Sequence, residues 1–498
     1  MQMLKKLIPY VVILLAAIPL YSINVHPGHN WGDDFAQYIL QGSNIATGKP
    51  HYNTNYIFNS LNPQYAPPQY PIGFPLLLAP IIKIWGPLSF LKMLQFIGLC
   101  LSALGCILFF YYRKYMGTLS AMCLALLCIY GSGILELKNS VLSDIPCWVF
   151  IALYLALRNS DNITTRKLML LIVAMTMAIL IRSQSLVLVA AECMYLLAHT
   201  IQQTASTRRL NIKAIITSVS IKTVCGALIL QLIIDKLIFA TPGGTVGFYQ
   251  HMLSRNQGIP LSDQIGGNLS YLMDLMLRYF NYYPGSEMNK LVMRVVVPGI
   301  FGLSIAGFFI TVRKKMRVDD WYFILIIVLI AFVGERQGVR FIISIIPIYL
   351  FYAFVALRTA IGPMKKWATV AAPILVALIF VNLSSDNIKW LKEVPTDNIP
   401  HTEDQKTFDY IRSHVGADEV IIFAKPRALA LFTDRKSMVY AWNSSWEENK
   451  KIFDANNARY ILLKQSLNDI SLQEYLYGAA HAVDSIPIAG DYVLYKLP

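Results

Sequence analysis

The stretch His26-Pro-Gly-His29-Asn-Trp-Gly32-Asp33-Asp34-Phe35-Ala-Gln-Tyr38 decides how the chain is read. It follows an apolar run from Leu7 to Ile23 that is preceded by Lys5 and Lys6. Lysines before such a run, with no clear small-x-small cleavage site after it, mark an uncleaved first membrane span whose N-terminus is cytoplasmic. Asp33 and Asp34 then stand at the outer membrane face. They open a helical pattern that ends at Gly48, with apolar positions (Phe35, Tyr38, Ile39, Ile45) suited to an interface. One aspartate suffices as an N-cap. A pair leaves two readings open, a cap alone or a cap beside a functional acid.

Composition supports the membrane setting. Of 498 residues, 55% are hydrophobic and 14% charged, and the mean hydropathy is +0.49. Soluble domains carry roughly 25% charged residues. Eleven apolar runs fall at about 7–25, 93–112, 117–134, 141–157, 168–182, 184–199, 223–240, 295–312, 321–333, 341–357 and 367–384. The net charge of +14 does not indicate nucleic acid, because of where it lies. Residues 385–498 hold 13 Lys+Arg against 16 Asp+Glu, which leaves 30 against 13 in the hydrophobic part. Eighteen of those 30, from Lys5 to Lys366, sit in short connectors on alternate sides of the runs. That is the positive-inside pattern, and an odd number of spans puts the tail outside.

The sequence therefore divides into a membrane part, 1–384, and a small α/β tail, 385–498. Two outer loops are long, 26–92 and 241–294, and long loops in compact domains are usually functional. The first contains an apolar, Pro-bounded piece from Pro75 to Phe90, with Lys83, that reads as a helix lying at the outer interface. The second is rich in Gly, Tyr and Asn and suits a lid. Its aromatics Phe248, Tyr249, Tyr279, Tyr282 and Tyr283 suit sugar stacking or an interfacial belt. In the tail, Asp404–His414 reads as a helix. Glu419–Ala424, Lys436–Tyr440, Tyr460–Lys464 and Tyr492–Lys496 read as strands.

Several polar residues lie where lipid makes them costly. Glu136, Lys138 and Asp144 fall at the next outer turn, with Asp144 heading the fourth run either as a cap or facing the bundle. Glu192 is placed mid-span, as a functional acid or a structural partner of a neighbouring helix. Lys83, Arg182, Arg255, Arg278, Arg336 and Arg340 are the outer cations, either phosphate ligands or lipid anchors. His26, His29 and His51 near the acid pair match no metal-ligand spacing. All seven cysteines lie in apolar stretches, so no disulfide framework is implied. No phosphate-cradling glycine loop or other catalytic motif occurs in a suitable context.

Taken together, these pieces resemble the bacterial integral-membrane glycosyltransferases of the GT-C fold, in particular the protein O-mannosyltransferase-like and aminoarabinose-transferase-like families. Gly32-Asp33-Asp34-Phe-Ala-Gln-Tyr38 is similar to the family's acidic motif, in which an Asp is followed four residues later by an aromatic. Tyr70-Pro71-Ile-Gly73-Phe-Pro75 resembles a Tyr-Pro-Pro-Gly-Tyr-Pro run. Leu142-Ser143-Asp144-Ile-Pro146 resembles a Ser-Glu/Asp motif heading a span. Arg340-Phe341 before Pro347 resembles a late Arg-Tyr/Phe element. Lys425-Pro426-Arg427 through Asp434-Arg435 is similar to the outer domain of many members. Two departures stand out. No Lys occurs near Gln69, where the aminoarabinose branch has one, and the acid pair is Asp-Asp rather than Asp-Glu.

The resemblance implies a polytopic, mainly α protein of about eleven spans in the bacterial inner membrane, with juxtamembrane helices in the first outer loop and an extracytoplasmic tail. It implies inverting transfer of a sugar from a polyprenyl-phosphate donor to a hydroxyl of an envelope protein, glycolipid or polysaccharide. Asp34, or alternatively Asp33, would be the base. Asp144, Glu136, Tyr38 and Tyr70 would support donor or acceptor, and Arg340, Arg336, Lys83 or Arg182 would bind phosphate. A divalent cation is the one cofactor left open. A transporter or flippase, and a polysaccharide ligase or polymerase, are the alternatives.

Overall fold

The computed structural model describes residues 2–23, 25–62, 67–160, 162–240, 260–280, 287–332, 338–361, 388–389, 392, 399–441, 444–467 and 484–497. Helices occupy ten of the eleven apolar runs, and the run 367–384 lies outside the described residues. The helices on these runs are α1 (Gln2–Ala17), α4 (Phe90–Met116), α5 (Thr118–Ile129), α7 (Asp144–Arg158), α8 (Thr165–Ile181), α9 (Leu186–Thr207), α11 (Val219–Leu232), α13 (Glu287–Val312), α14 (Val318–Phe332) and α15 (Ile346–Ile361). Three described segments are long and apolar enough to cross a membrane by length and composition: Phe90–Met116, Ser183–Thr207 and Arg294–Val312. The juxtamembrane pieces are α2 (Asp34–Ala46) and α3 (Gly73–Trp85). A short helix α6 (Ser132–Leu137) follows α5, and α10 (Ile212–Ile216) precedes α11.

The second long loop differs from expectation. Twenty of its residues fold as α12, Leu261–Phe280, which packs against α14. Asn268 donates from Nδ2 to the Ala331 carbonyl at 3.0 Å, and Tyr279 is fully buried with its hydroxyl on the Cys128 carbonyl at 2.9 Å. This piece is scaffold rather than lid, because a buried amide and phenol tie it to helix ends. Tyr279 can neither stack on sugar nor join a belt. Phe248, Tyr249, Tyr282 and Tyr283 lie outside the described residues.

The tail supplies α16 (Thr402–His414), α17 (Pro426–Thr433) and α18 (Trp446–Ala455) around a six-stranded sheet. The strands are β1 (Tyr56–Ile57), β2 (Val420–Ile422), β3 (Lys436–Met438), β4 (Ala458–Lys464), β5 (Asp484–Pro487) and β6 (Tyr492–Lys496), in spatial order β1-β3-β2-β4-β6-β5. The β1, β3, β2 and β4 neighbours pair parallel, and β4–β6 and β6–β5 pair antiparallel. Alternation divides the faces. Val420 and Ile422 pack with Met438, Phe453, Ile461 and Leu463 on one side. Ile421 and Phe423 face the other way and join Phe408, Leu462 and Leu494 in the same core as the membrane helices.

Strand β1 belongs to the first outer loop, not to the tail. Asn59 and Asn62 donate to the Val439 and Tyr440 carbonyls at 2.8 and 3.0 Å. Trp31 packs edge-on against Phe408 and Phe423. The boundary drawn at 385 is therefore one of chain order. In packing, the loop 26–92 and the tail form a single body.

Candidate active site

Helix α2 builds the site because three of its polar side chains share a face at i, i+4 spacing. Asp34 occupies the first turn, where the helix dipole favours a carboxylate. Tyr38 follows one turn later, its hydroxyl 2.9 Å from Ser143 Oγ. Gln41, buried one turn further, accepts from the Tyr70 backbone N and donates to the Tyr70 carbonyl, each at 3.0 Å. Tyr70 is thus held by its backbone, and its ring stacks on Tyr38 at 4.7 Å. Gly73 fixes the same segment from the other side. A Cβ there would meet the Leu180 backbone at 2.6 Å, so only glycine lets α3 start against the end of α8. The next residue after α8 is Arg182, which therefore arrives beside Tyr38 and Asp144.

The charged groups form one network. Asp144, with its side chain only 1% exposed, accepts from Arg182 Nη1 at 2.6 Å and from Arg340 Nε at 3.0–3.1 Å on both oxygens. Arg340 reaches on through Nη1 to Asp34 Oδ2 at 3.0 Å. Asp34 Oδ1 accepts from the Tyr70 hydroxyl at 2.5 Å. Arg427, from α17 in the tail, donates from Nη1 to Tyr70 Oη at 3.0 Å and lies 3.9 Å from Asp34. Three carboxylates thus face three guanidinium groups, and most of each charge is answered locally.

The three acids differ in access. Asp33 precedes α2 but makes no side-chain bond to it. Its Oδ1 instead accepts the backbone N–H groups of Arg427 and Ala428, both at 3.1 Å, and so caps α17, 394 residues away. Its side chain is 9% exposed, against 32% for Asp34. Burial pushes the Asp33 carboxyl up to about 6, against the pull of Arg427. Burial also pushes Asp34 upward, but Arg340, the Tyr70 hydroxyl and Arg427 together hold it below the ordinary carboxylate value. Burial and the neighbouring Asp34 raise the Tyr38 phenol to about 12.

Beside the network lies a narrow cleft, partly open at the surface. Asp144, Arg182 and Arg340 form its charged wall, and Trp148, Ile151 and Ile343 its apolar wall. Among the described residues, Arg182 Nε and Nη2 and Arg340 Nη2 make no hydrogen bond, which leaves donors available at that wall.

No protein-family model matches the chain, and no curated protein matches it. Solved structures do. ArnT from Cupriavidus metallidurans, bound to undecaprenyl phosphate, superposes with a TM-score of 0.59 at 12% identity, over 98% of this chain and 97% of that one. The Archaeoglobus fulgidus oligosaccharyltransferase superposes with a TM-score of 0.56 at 12% identity, over 92% of this chain and 69% of that one. The arabinofuranosyltransferase AftD from Mycobacteria gives 0.52 at 13% identity, over 98% of this chain and 39% of its own. The chain has the GT-C fold.

Within this GT-C fold, Asp34, Asp33, Tyr38, Tyr70, Asp144, Arg182 and Arg340 come together, and other expected residues do not. Lys83 is exposed in the last turn of α3, roughly 15 Å along the helix from Gly73 at a rise of 1.5 Å per residue. A phosphate held at Arg182 and Arg340 is out of its reach. Glu136 is exposed on α6, outside the network. Arg336 and Arg255 lie outside the described residues, as does the side chain of Arg278. Lys138 is buried and donates to Asn139 Oδ1 at 2.6 Å and to the Ile23 carbonyl, and burial lowers it to about 7.

Among the described residues, no group of histidines and acids is placed to hold a metal ion. His29 is buried and stacked on Phe35 at 3.8 Å. Its Nδ1 bonds the Asn30 carbonyl at 3.1 Å, and its Nε2 accepts from Val141 N at 2.9 Å, so both nitrogens are used. Burial lowers it to about 4, and it stays neutral. Each nearby carboxylate already faces a guanidinium that would repel a divalent ion, so this donor set does not fit one. Glu192 is the structural partner: fully buried, it pairs with Arg158 Nε at 2.7 Å and accepts from the Tyr154 hydroxyl.

Two site residues have no counterpart in the sequence reading. Gln41 follows Asp34 by two helical turns, so the α2 periodicity contains the signal for it. Arg427 stood only within the tail's family-like segment, and nothing local marks it for burial beside Asp34.

Proposed function

We propose that this chain is a membrane glycosyltransferase that moves a sugar from a polyprenyl-phosphate donor to an acceptor hydroxyl at the outer membrane face. The observation that carries the reading is the difference in access within one network. Asp34 alone of the three acids is substantially exposed, and its partner Arg340 lines a cleft with guanidinium donors and an apolar wall. Such a cleft suits a lipid phosphate, with the head on Arg182 and Arg340 and the prenyl chain along Trp148, Ile151 and Ile343. The ArnT structure of the same fold is bound to undecaprenyl phosphate, which supports that choice of donor.

Asp34 acts as general base. The acceptor oxygen attacks the anomeric carbon on the face opposite the phosphate while its proton passes to Asp34. The new glycosidic C–O bond forms, the bond from the anomeric carbon to the phosphate oxygen breaks, and its electron pair leaves with the phosphate. Configuration inverts. Arg182 and Arg340 answer the charge that develops on the leaving group. A base held below the usual range is nearly all ionised at neutral pH, which keeps it in its working form. Asp144 positions Arg182 and Arg340, and Tyr38 and Tyr70 shape the acceptor side. The membrane part, 1–384, carries the donor. The loop 26–92 and the tail 385–498 stand outside the bacterial inner membrane, as the basic connectors indicate.

The test is transfer from a radiolabelled polyprenyl-phosphate sugar pool into envelope material, with wild type, Asp34→Asn and Asp33→Asn in matched membranes. Loss in Asp34→Asn alone supports the assignment, and the labelled product names the acceptor class. Normal transfer in both variants overturns the base, and a transporter becomes the better reading.

A further inference from the structure

Arg427 reaches the site from the far end of the chain, 357 residues from Tyr70. It is fully buried, and its guanidinium lies between the rings of Tyr56 and Tyr70, 4.9 and 4.7 Å from their centroids. Nη2 donates to the Pro67 carbonyl, and Nη1 donates to Tyr70 Oη at 3.0 Å. Its backbone N–H, with that of Ala428, ends on Asp33.

A guanidinium has only donors. A phenol oxygen that accepts from it must send its own proton elsewhere. The acceptor within reach is Asp34 Oδ1, at 2.5 Å. Asp34, ionised and an acceptor only, accepts that hydrogen bond, and the Arg427 donor on the same phenol oxygen holds the hydroxyl in this orientation. One oxygen of Asp34 is then covered by a hydroxyl. The other, Oδ2, carries the single Arg340 bond on one side and has a lone pair left. Packing of the tail alone would be served by the Pro67 carbonyl and the two rings. The Nη1 contact does something further, because it orients the residue that touches Asp34.

We propose that Arg427 is a positioning residue for transfer, through which the tail aims the Tyr70 hydroxyl at Asp34 and leaves Oδ2 as the oxygen that takes the acceptor's proton. This rests on the reading of Asp34 as the base. The tail is then a working part of the site.

The experiment uses the full-length protein in lipid nanodiscs and measures the pH profile of transfer for wild type, Tyr70→Phe, Arg427→Lys and the double variant. Tyr70→Phe keeps the ring and removes the hydroxyl that favours the ionised Asp34. Its acid limb moves to higher pH, and kcat falls about ten- to a hundredfold, the range for a hydrogen bond to a charged group, with KM little changed. Arg427→Lys keeps the charge without the fork, so one donor group cannot serve both Tyr70 and Pro67. Its acid limb moves the same way, and the double variant shifts no further than Tyr70→Phe alone. An unchanged acid limb in Tyr70→Phe or in a folded Arg427→Lys, or shifts that add fully in the double variant, overturns the proposal. If Arg427→Lys does not fold, Arg427→Gln, which keeps an amide donor, takes its place in the same comparison. Equal transfer by wild type and Asp34→Asn is a different result: it removes the base assignment itself.

Discussion

The chain carries two adjacent aspartate pairs at helix starts, Asp33–Asp34 before and in α2 and Asp319–Asp320 in the first turn of α14. Their surroundings are opposite. Asp319 and Asp320 are both fully buried. Arg317 bridges them at 3.0 and 3.5 Å, Tyr111 donates to Asp319 at 2.7 Å, and Tyr352 donates to Asp320 at 2.6 Å. That pair ties α4, α14 and α15 together and opens onto nothing. In the outer pair the two acids have separated duties. Asp33 is spent on the tail helix, and Asp34 stays partly exposed beside Arg340. The same dipeptide thus makes a clamp in one place and a candidate base in the other. Access decides between them, and composition does not.

The largest effect that would break this comparison is on transfer. Asp34→Asn should lower the transfer rate by about 10²–10⁴, the range for a lost general base, with the fold retained and only a modest drop in unfolding temperature from the lost Arg340 pair. A loss of fold instead would make the outer pair a second clamp. Next comes the inner pair. Arg317→Met should destabilise by about 3–5 kcal/mol, because it strands two buried carboxylates. Thermal unfolding in detergent reads this, and transfer per folded molecule should stay near wild type.

Gly73→Ala should cost about 1–3 kcal/mol, from a Cβ pressed into the Leu180 backbone. Because α3 also carries the chain away from Tyr70, it should lower transfer as well, unlike Arg317→Met.

A smaller effect concerns acid. Asp33 titrates near 6 in the fold, above its ordinary 3.8, so the fold binds that proton more tightly and gains stability as pH falls from about 6 to about 4. His29 titrates near 4, below its ordinary 6.5, so stability is lost as pH falls through the same window. The two oppose in wild type. Asp33→Asn should therefore lose stability more steeply than wild type between pH 6 and 4, by at most about 1.4 kcal/mol per unit. Unfolding temperatures across that range check it. Smallest of all, Lys83→Ala should leave transfer within twofold, since the side chain stands in solvent at the far end of α3.

What could be read from the sequence follows from how local each signal is. Apolar runs announce membrane helices because lipid demands them residue by residue. The tail strands β2 and β4 alternate or run apolar over enough positions to be seen. Strand β1 is two residues long and finds its partner, Ser437–Met438, only in three dimensions, so it has no period to detect. Asp33 shows the limit most clearly. Its place before a helix invited a capping role, and capping is its role, but on α17 rather than α2. Arg427 carries the same lesson with opposite charge: a polar tail offers many cations, and burial beside Tyr70 is decided by docking. Helix α12 was hidden by its Gly and Asn content, which tertiary contacts override.

Strand β1 has a consequence for biosynthesis. Its two residues leave the ribosome early, whereas the strand they pair with follows about 380 positions later. Until that segment has been made, Asp33 has no helix to cap and Tyr70 has no Arg427. A prematurely terminated product would lack the Arg427 contacts to Tyr70 and Asp33. The charged network around Asp34 is thus complete only after the segment carrying Arg427 and β3 has been made.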